Sequence, residues 1–177
     1  MIVLLKEKRV LLAPFFFIFI MSSLSVAADT RADLWYKIGY DYSQRKRNDE
    51  AFRYMLRAAD VGHSAAQNNI GLSYLHGLGV EKDKKRAFVW FEKAAKQGLS
   101  YAQSELAMLY YQQGNIKQAQ KWWLIAANLN DEYAQFNLAS LFLEQKKRKR
   151  AIYWFQQASK NKHPQAQAAL EALKEKK

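Results

Sequence analysis

The sequence predicts an all-α protein, an α-solenoid of about four antiparallel helix pairs closed by a C-terminal capping helix. Three observations predict it. A motif with helical spacing returns every 32 to 36 residues, and self-similarity at such a period marks repeat architectures. A second helical motif interleaves with the first. Glycine (7) and proline (2) are scarce in 177 residues, and Ala, Leu, Gln and Lys are abundant, a composition that favours helices over many short strands.

Residues 1–28 read as a signal peptide rather than part of the fold. Lys6, Lys8 and Arg9 form a basic flank, the apolar run Val10 to Met21 follows, and Ser25-Val26-Ala27-Ala28 ends the segment in small residues. That is the order of an export signal. The apolar run falls short of the roughly 20 residues that span a bilayer, so cleavage is expected after Ala27 or Ala28, leaving an exported chain, periplasmic or secreted. No cysteine follows the run, which excludes a lipidated N-terminus. The chain has no cysteine at all, so disulfides, thiolate zinc sites and cysteine nucleophiles are excluded.

Residues 29–177 divide into repeats at about 31–62, 63–98, 99–130 and 131–161, with a capping helix at 163–175. The first helices carry Leu34-x-x-x-Ile38-Gly39-x-x-Tyr42, Ala66-x-x-x-Ile70-Gly71-x-x-Tyr74, Ala102-x-x-x-Leu106-Ala107-x-x-Tyr110 and Ala134-x-x-x-Leu138-Ala139-x-x-Phe142. Offsets of 0, 4 and 8 share one helical stripe, and a small residue at offset 5 admits a close neighbour. A half copy, Ala166-x-x-x-Leu170, closes the chain. The second helices carry Ala51-x-x-Tyr54-x-x-x-Ala58-Ala59, Ala87-x-x-Trp90-x-x-x-Ala94-Ala95, Ala119-x-x-Trp122-x-x-x-Ala126-Ala127 and Ala151-x-x-Trp154-x-x-x-Ala158-Ser159. An aromatic between alanines suits a knob in a tight helix seam, so Trp90, Trp122, Trp154, Tyr74 and Tyr110 are expected in the core. Gly62 and Gly98 are expected to end second helices. Gly114-Asn115 marks a turn, and Asn130-Asp131 offers capping side chains.

Residues 66–98 resemble the Sel-1-like repeat family, relatives of tetratricopeptide repeats. The resemblance rests on Gly77, Gly79, Val80 and Asp83 in the turn, then Arg86-Ala87, Trp90, Ala94-Ala95 and Gly98. The other copies lack the Gly-x-Gly-Val turn and look more tetratricopeptide-like. What the resemblance implies is an adaptor or scaffold holding a protein partner on its concave side. Among small exported Sel-1-like proteins are immunity proteins that neutralise toxic effectors, which supplies a narrower alternative. Some exported relatives are described as penicillin-binding or β-lactamase-like hydrolases. Those carry a cysteine pair in each repeat, so that activity does not transfer here.

On the first helices, offsets 2, 3, 6 and 9 point away from the stripe. They are Tyr36, Lys37, Tyr40 and Ser43; Asn68, Asn69, Leu72 and Leu75; Ser104, Glu105, Met108 and Tyr111; Phe136, Asn137, Ser140 and Leu143. As a groove, this set offers amides for a peptide backbone and apolar anchors for its side chains. Tyr36, Tyr40, Asn68, Asn69, Glu105, Met108, Phe136 and Asn137 are its expected contacts. A basic ridge is a second candidate surface. Arg45-Lys46-Arg47, then Lys82, Lys84, Lys85 and Arg86, then Lys146-Lys147-Arg148-Lys149-Arg150 cluster between the helices of three pairs, whereas the third pair has Lys117. The formal charge is +12. Such a balance points to an acidic protein, an anionic envelope component or nucleic acid, and export makes nucleic acid the poorest fit. His63, His76 and His163 occur singly, without metal-ligand spacing. No nucleophile elbow, phosphate loop or paired catalytic carboxylate occurs. The expected partner is another protein, with no cofactor, no metal and no small-molecule substrate.

Overall fold

The computed structural model describes residues 30–175; the expected signal peptide, 1–28, lies outside them. Among the described residues there are nine α-helices and no strand. They are α1 (30–44), α2 (Asn48–Asp60), α3 (Ser64–His76), α4 (Lys84–Lys96), α5 (Ser100–Gln112), α6 (Ile116–Asn128), α7 (Glu132–Glu144), α8 (Arg148–Lys160) and α9 (Ala166–Glu175). From α2 onward, each helix packs chiefly on the one before and the one after it, the quasi-one-dimensional arrangement of a solenoid. The α-solenoid of helix pairs is thus as read from the repeat.

Side chains written into the turns set the helix starts. Nδ1 of His63 accepts the Ala66 N–H at 3.1 Å, Oδ1 of Asp83 accepts from Lys85 and Arg86 at 2.9 and 3.0 Å, and Oδ1 of Asp131 accepts from Ala134 at 2.8 Å. Each satisfies amides that have no partner within the helix. The second helices end on left-handed residues: Gly62 (φ +100°) and Gly98 (φ +89°), then Asn130 (φ +65°) and Lys162 (φ +68°) at the same point of the third and fourth pairs. In the longer turn of the second pair, Gly79 has φ +70°, and a Cβ there would lie 2.1 Å from the Asn48 carbonyl oxygen. Only glycine lets this turn rest on the first residue of α2.

The core is built from alanine on alanine, with one large residue per second helix. Ala66, Ala102, Ala134 and Ala166 are fully buried, as are Ile70, Leu106 and Leu138 four residues after the first three. Gly71 sits against the ring of Phe91, where a Cβ would lie only 2.7 Å away. In the first copy, Leu34 occupies the alanine position yet is 55% exposed, because no helix packs before α1 among the described residues. A second correction concerns the knobs. Trp90, Trp122 and Trp154 are half-buried, as is Tyr110, whereas Tyr74 is buried as expected. The filled positions are one residue later: Met55, Phe91, Trp123 and Phe155. Ala87, Phe91, Ala94 and Ala95 share the centre of the stripe, and Trp90, three residues after Ala87, falls at its edge.

A repeated glutamine fastens each pair to the next. Nε2 of Gln67, Gln103 and Gln135 donates to the carbonyls of Ala59, Ala95 and Ala127, eight residues earlier, at 3.1, 3.2 and 3.0 Å. These glutamines are buried, so both ends of the amide need partners. Oε1 of Gln67 receives Nε2 of Gln97 at 2.7 Å, and Oε1 of Gln135 receives Nδ2 of Asn161 at 2.9 Å. Both donors are the capping residues after second helices. In the intervening pair that position is Leu129, 53% exposed, and Oε1 of Gln103 is left buried without a partner.

Candidate binding groove

The first helices of the pairs form the inner layer, and two cavities open along it. The larger, about 400 Å³, is lined by Ser104, Glu105 and Met108 of α5, Tyr133, Phe136 and Asn137 of α7, and His163, Pro164 and Gln165 before α9. The smaller, about 230 Å³, is lined by Tyr40, Ser43, Asn48, Ala51, Met55, Asn69, Leu72, Ser73 and Leu78. The expected groove residues divide between them. Glu105, Met108, Phe136 and Asn137 meet in the larger cavity and Tyr40 and Asn69 in the smaller. Tyr36 and Asn68 line neither: Tyr36 stacks on His63 with ring centroids 4.5 Å apart, and Asn68 is half-buried with Oδ1 unpartnered.

The walls of the larger cavity are aromatic. Phe136 stacks on His163 at 4.1 Å and meets Phe155 edge-on at 5.2 Å, while Tyr133 meets His163 edge-on at 5.1 Å. His163 is 7% exposed, and its Nδ1 accepts the Gln165 N–H at 3.2 Å. Burial lowers the imidazole pKa against an opposing pull from Glu132, and the Gln165 N–H at Nδ1 leaves Nε2 as the donor of a neutral ring. Burial raises the Glu105 pKa; nearby Asp131 adds to the rise and His76 opposes it. The Asp131 carboxyl is likewise pushed up, mainly by burial. Sequence reasoning missed Tyr133, His163, Pro164 and Gln165 as lining residues. The visible signal was Tyr133 preceding Ala134 as Tyr101 precedes Ala102.

The ridge residues are all exposed, but many are engaged locally. Arg45 pairs with Asp41 at 3.1 Å, Arg47 pairs with Glu50 and lies over the Tyr42 ring at 4.9 Å, and Arg86 pairs with Asp83 at 3.2 Å. Lys147 donates to Gln145 at 2.7 Å, and Arg148 donates to the Leu173 carbonyl. Lys46, Lys84, Lys85, Lys146 and Lys149 make no ion pair among the described residues. Lys46 and Lys146 share a left-handed φ of 58° at the same point of their turns.

From α3 to α8, charge is also sorted by layer. On α3, α5 and α7 every Asp, Glu, Lys or Arg is an acid: Glu105, Glu132 and Glu144. On α4, α6 and α8 the bases run from Lys84 through Lys121 to Lys160, and Glu92 is the single acid. Among the described residues no group of three or more His, Cys, Asp or Glu is placed to hold a metal ion, and no helix is long and apolar enough to cross a membrane.

Comparison with known proteins agrees with this architecture. The Sel1 repeat model matches residues 36–63, 64–99, 100–131 and 132–163. The chain is 41% identical over 61 residues to the chitin synthase regulator SKT5 of Saccharomyces cerevisiae, covering 34% of this chain and 9% of that protein. It is 41% identical over 58 residues to the ERAD-associated E3 ubiquitin-protein ligase component HRD3B of Arabidopsis thaliana, covering 32% of this chain and 10% of that one. It therefore spans about a tenth of these curated relatives. Among solved structures, a Sel1 repeat protein from Oxalobacter formigenes aligns with TM-score 0.74 and 29% identity over 78% of this chain and 62% of its own. The protective antigen c5321 of uropathogenic Escherichia coli aligns with TM-score 0.75 and 26% identity, over 80% of this chain and 33% of its own.

Proposed function

We propose, on the premise that this chain belongs to the Sel1 repeat family, that it is an exported adaptor whose inner groove holds a segment of a protein partner. Proteins of this family are generally protein-interaction adaptors. Two relatives are named for parts played beside other proteins, one as a synthase regulator and one as a ligase component. Export rests on the charged, apolar and small-residue order of residues 1–28. The observation that carries the groove is the pair of cavities along the first helices, one of them also lined by α2, where amide, hydroxyl and carboxylate groups stand among aromatic and methionine side chains. Such a mixture anchors side chains and pairs with a backbone.

Tyr36 and Phe136 are poor test positions, since both stack on capping histidines and their loss would confuse folding with binding. Tyr40, Met108 and Asn137 are better. Changing these three to alanine is expected to cut capture of the native envelope partner about tenfold or more, with the helical circular dichroism unchanged and little dependence on salt. Capture that survives these changes but disappears when Lys46, Lys84, Lys85, Lys146 and Lys149 are neutralised would overturn the groove reading.

One observation favours a second reading, attachment to an anionic envelope surface. On α4, Lys85, Arg86, Val89, Trp90 and Lys93 border a shallow depression, with the Lys93 ammonium 4.0 Å from the Trp90 ring centre. An aromatic ring among bases suits an anionic interface.

A further inference from the structure

The larger cavity has one acidic wall, Glu105, that forms no ion pair among the described residues. Among the described residues, ion pairs join Arg45 to Asp41, Arg47 to Glu50, His63 to Asp33, Arg86 to Asp83 and Lys96 to Glu92. None involves Glu105, and no Lys or Arg lines the cavity. Burial is the main influence on Glu105, with His76 drawing its pKa down and Asp131 pushing it up, and Glu132 acts on His163. Burial of His163 disfavours its charged form. A half-buried carboxylate among apolar rings is poorly solvated and gains most from a cation brought to it. The rings add to that gain. Tyr133 is 49% exposed at the rim, and the faces of Tyr and Phe attract ammonium and guanidinium groups.

An internal comparison identifies a second contact. His63 and His163 hold the same place three repeats apart, each accepting an amide at Nδ1 and each stacked on a ring of the first helix one pair earlier. Nε2 of His63 meets the Asp33 carboxylate at 3.3 Å. The corresponding place in α7 holds Tyr133, so among the described residues the Nε2 of His163 meets no carboxylate and makes no other hydrogen bond. It belongs to a ring that is more than nine-tenths enclosed and lines the cavity.

We propose that the larger cavity is the seat for a cationic side chain, lysine or arginine, of the bound segment, with Glu105 as counter-charge, Tyr133 and Phe136 as walls, and His163 Nε2–H as donor to a backbone carbonyl beside it. This rests on the groove reading and gives it a substrate class: a basic peptide segment, although the protein as a whole is basic. A volume of about 400 Å³ lies within the range of sites that take small ligands.

The test uses the peptide acetyl-Gly-Gly-Lys-Gly-Gly-amide and its arginine, norleucine and glutamate counterparts, followed through the Met108 methyl signal. The lysine or arginine peptide is expected to shift that signal and to bind about tenfold or more tighter than the norleucine peptide. Glu105→Gln is expected to bring the cationic peptides down to the norleucine level. Tyr133→Leu, at a rim position, is a second variant expected to weaken them about threefold or more. Equal binding of norleucine and lysine peptides, tighter binding of the glutamate peptide, unchanged binding by Glu105→Gln, or no shift from any peptide would overturn the proposal. Failure here is distinguishable from failure of the groove. If Glu105→Gln leaves partner capture intact while the Tyr40, Met108 and Asn137 changes abolish it, the groove stands and the cation seat falls.

Discussion

Trp122 and Trp123 stand side by side in α6 and do different work. Trp123 is fully buried, in tilted contact with Tyr111 at 5.5 Å, while Trp122 lies at the stripe edge, half-buried. Trp123→Ala should cost about 3–5 kcal/mol, the range for emptying a buried aromatic site, and Trp122→Ala only about 1–2 kcal/mol. Trp123→Phe should retain most of the stability, because the indole Nε1–H is buried without a partner and its removal relieves a desolvation cost. Urea titration of the three variants checks the order; a larger loss for Trp122 would restore the phase read from the sequence. That phase misled for a physical reason. The edge position repeats an aromatic letter, Tyr54, Trp90, Trp122 and Trp154, whereas the buried position holds Met55, Phe91, Trp123 and Phe155. A core site selects volume and apolarity rather than one residue type, so its periodicity is visible as a class and not as an identity.

Between helices, the glutamine fastening is the least legible part of the fold. Ala-Gln recurs at 66–67, 102–103, 134–135 and 166–167, so the letters were in view. What could not be read was the carbonyl eight residues back, which comes within reach only after one helix has folded over the next. The chain has also left one fastening incomplete. Replacing Leu129 with asparagine, the residue that serves Gln135 from position 161, should supply Oε1 of Gln103 with a donor and remove an exposed apolar side chain. The expected gain is about 1 kcal/mol, the net worth of one hydrogen bond. Thermal and urea denaturation of Leu129→Asn measures it; no gain would mean that Gln103 is already served by solvent. Helix starts were more legible, because Asp131 before Ala134 acts through its own neighbours in sequence. His63 and His163 act in the same local way, each accepting a backbone N–H two or three residues ahead.

At the scale of the molecule, the solenoid was legible because each repeat restates the same packing problem, and four statements of it leave little ambiguity. The groove was legible as a set of outward offsets. Its division into two cavities was not, since this depends on His163 and Tyr133 closing one end from different elements. The layering of charge was not legible either: from α3 to α8, base-rich and acid-bearing helices alternate along the sequence and become two faces only when stacked. If the basic layer attaches to an anionic surface, binding to vesicles containing phosphatidylglycerol should fall steeply between 0.1 and 1 M salt, as the Debye length shrinks from about 10 to about 3 Å. Neutralising Lys93, Lys96 and Lys121 should weaken it, and the Tyr40, Met108 and Asn137 changes should not; salt-independent sedimentation with vesicles would count against it. The same layering gives the molecule a dipole across its thickness. Near a negatively charged sheet it therefore feels a torque as well as an attraction, and turns its second helices downward before contact. The groove then opens away from the sheet, and its carboxylates stay clear of the cations gathered there.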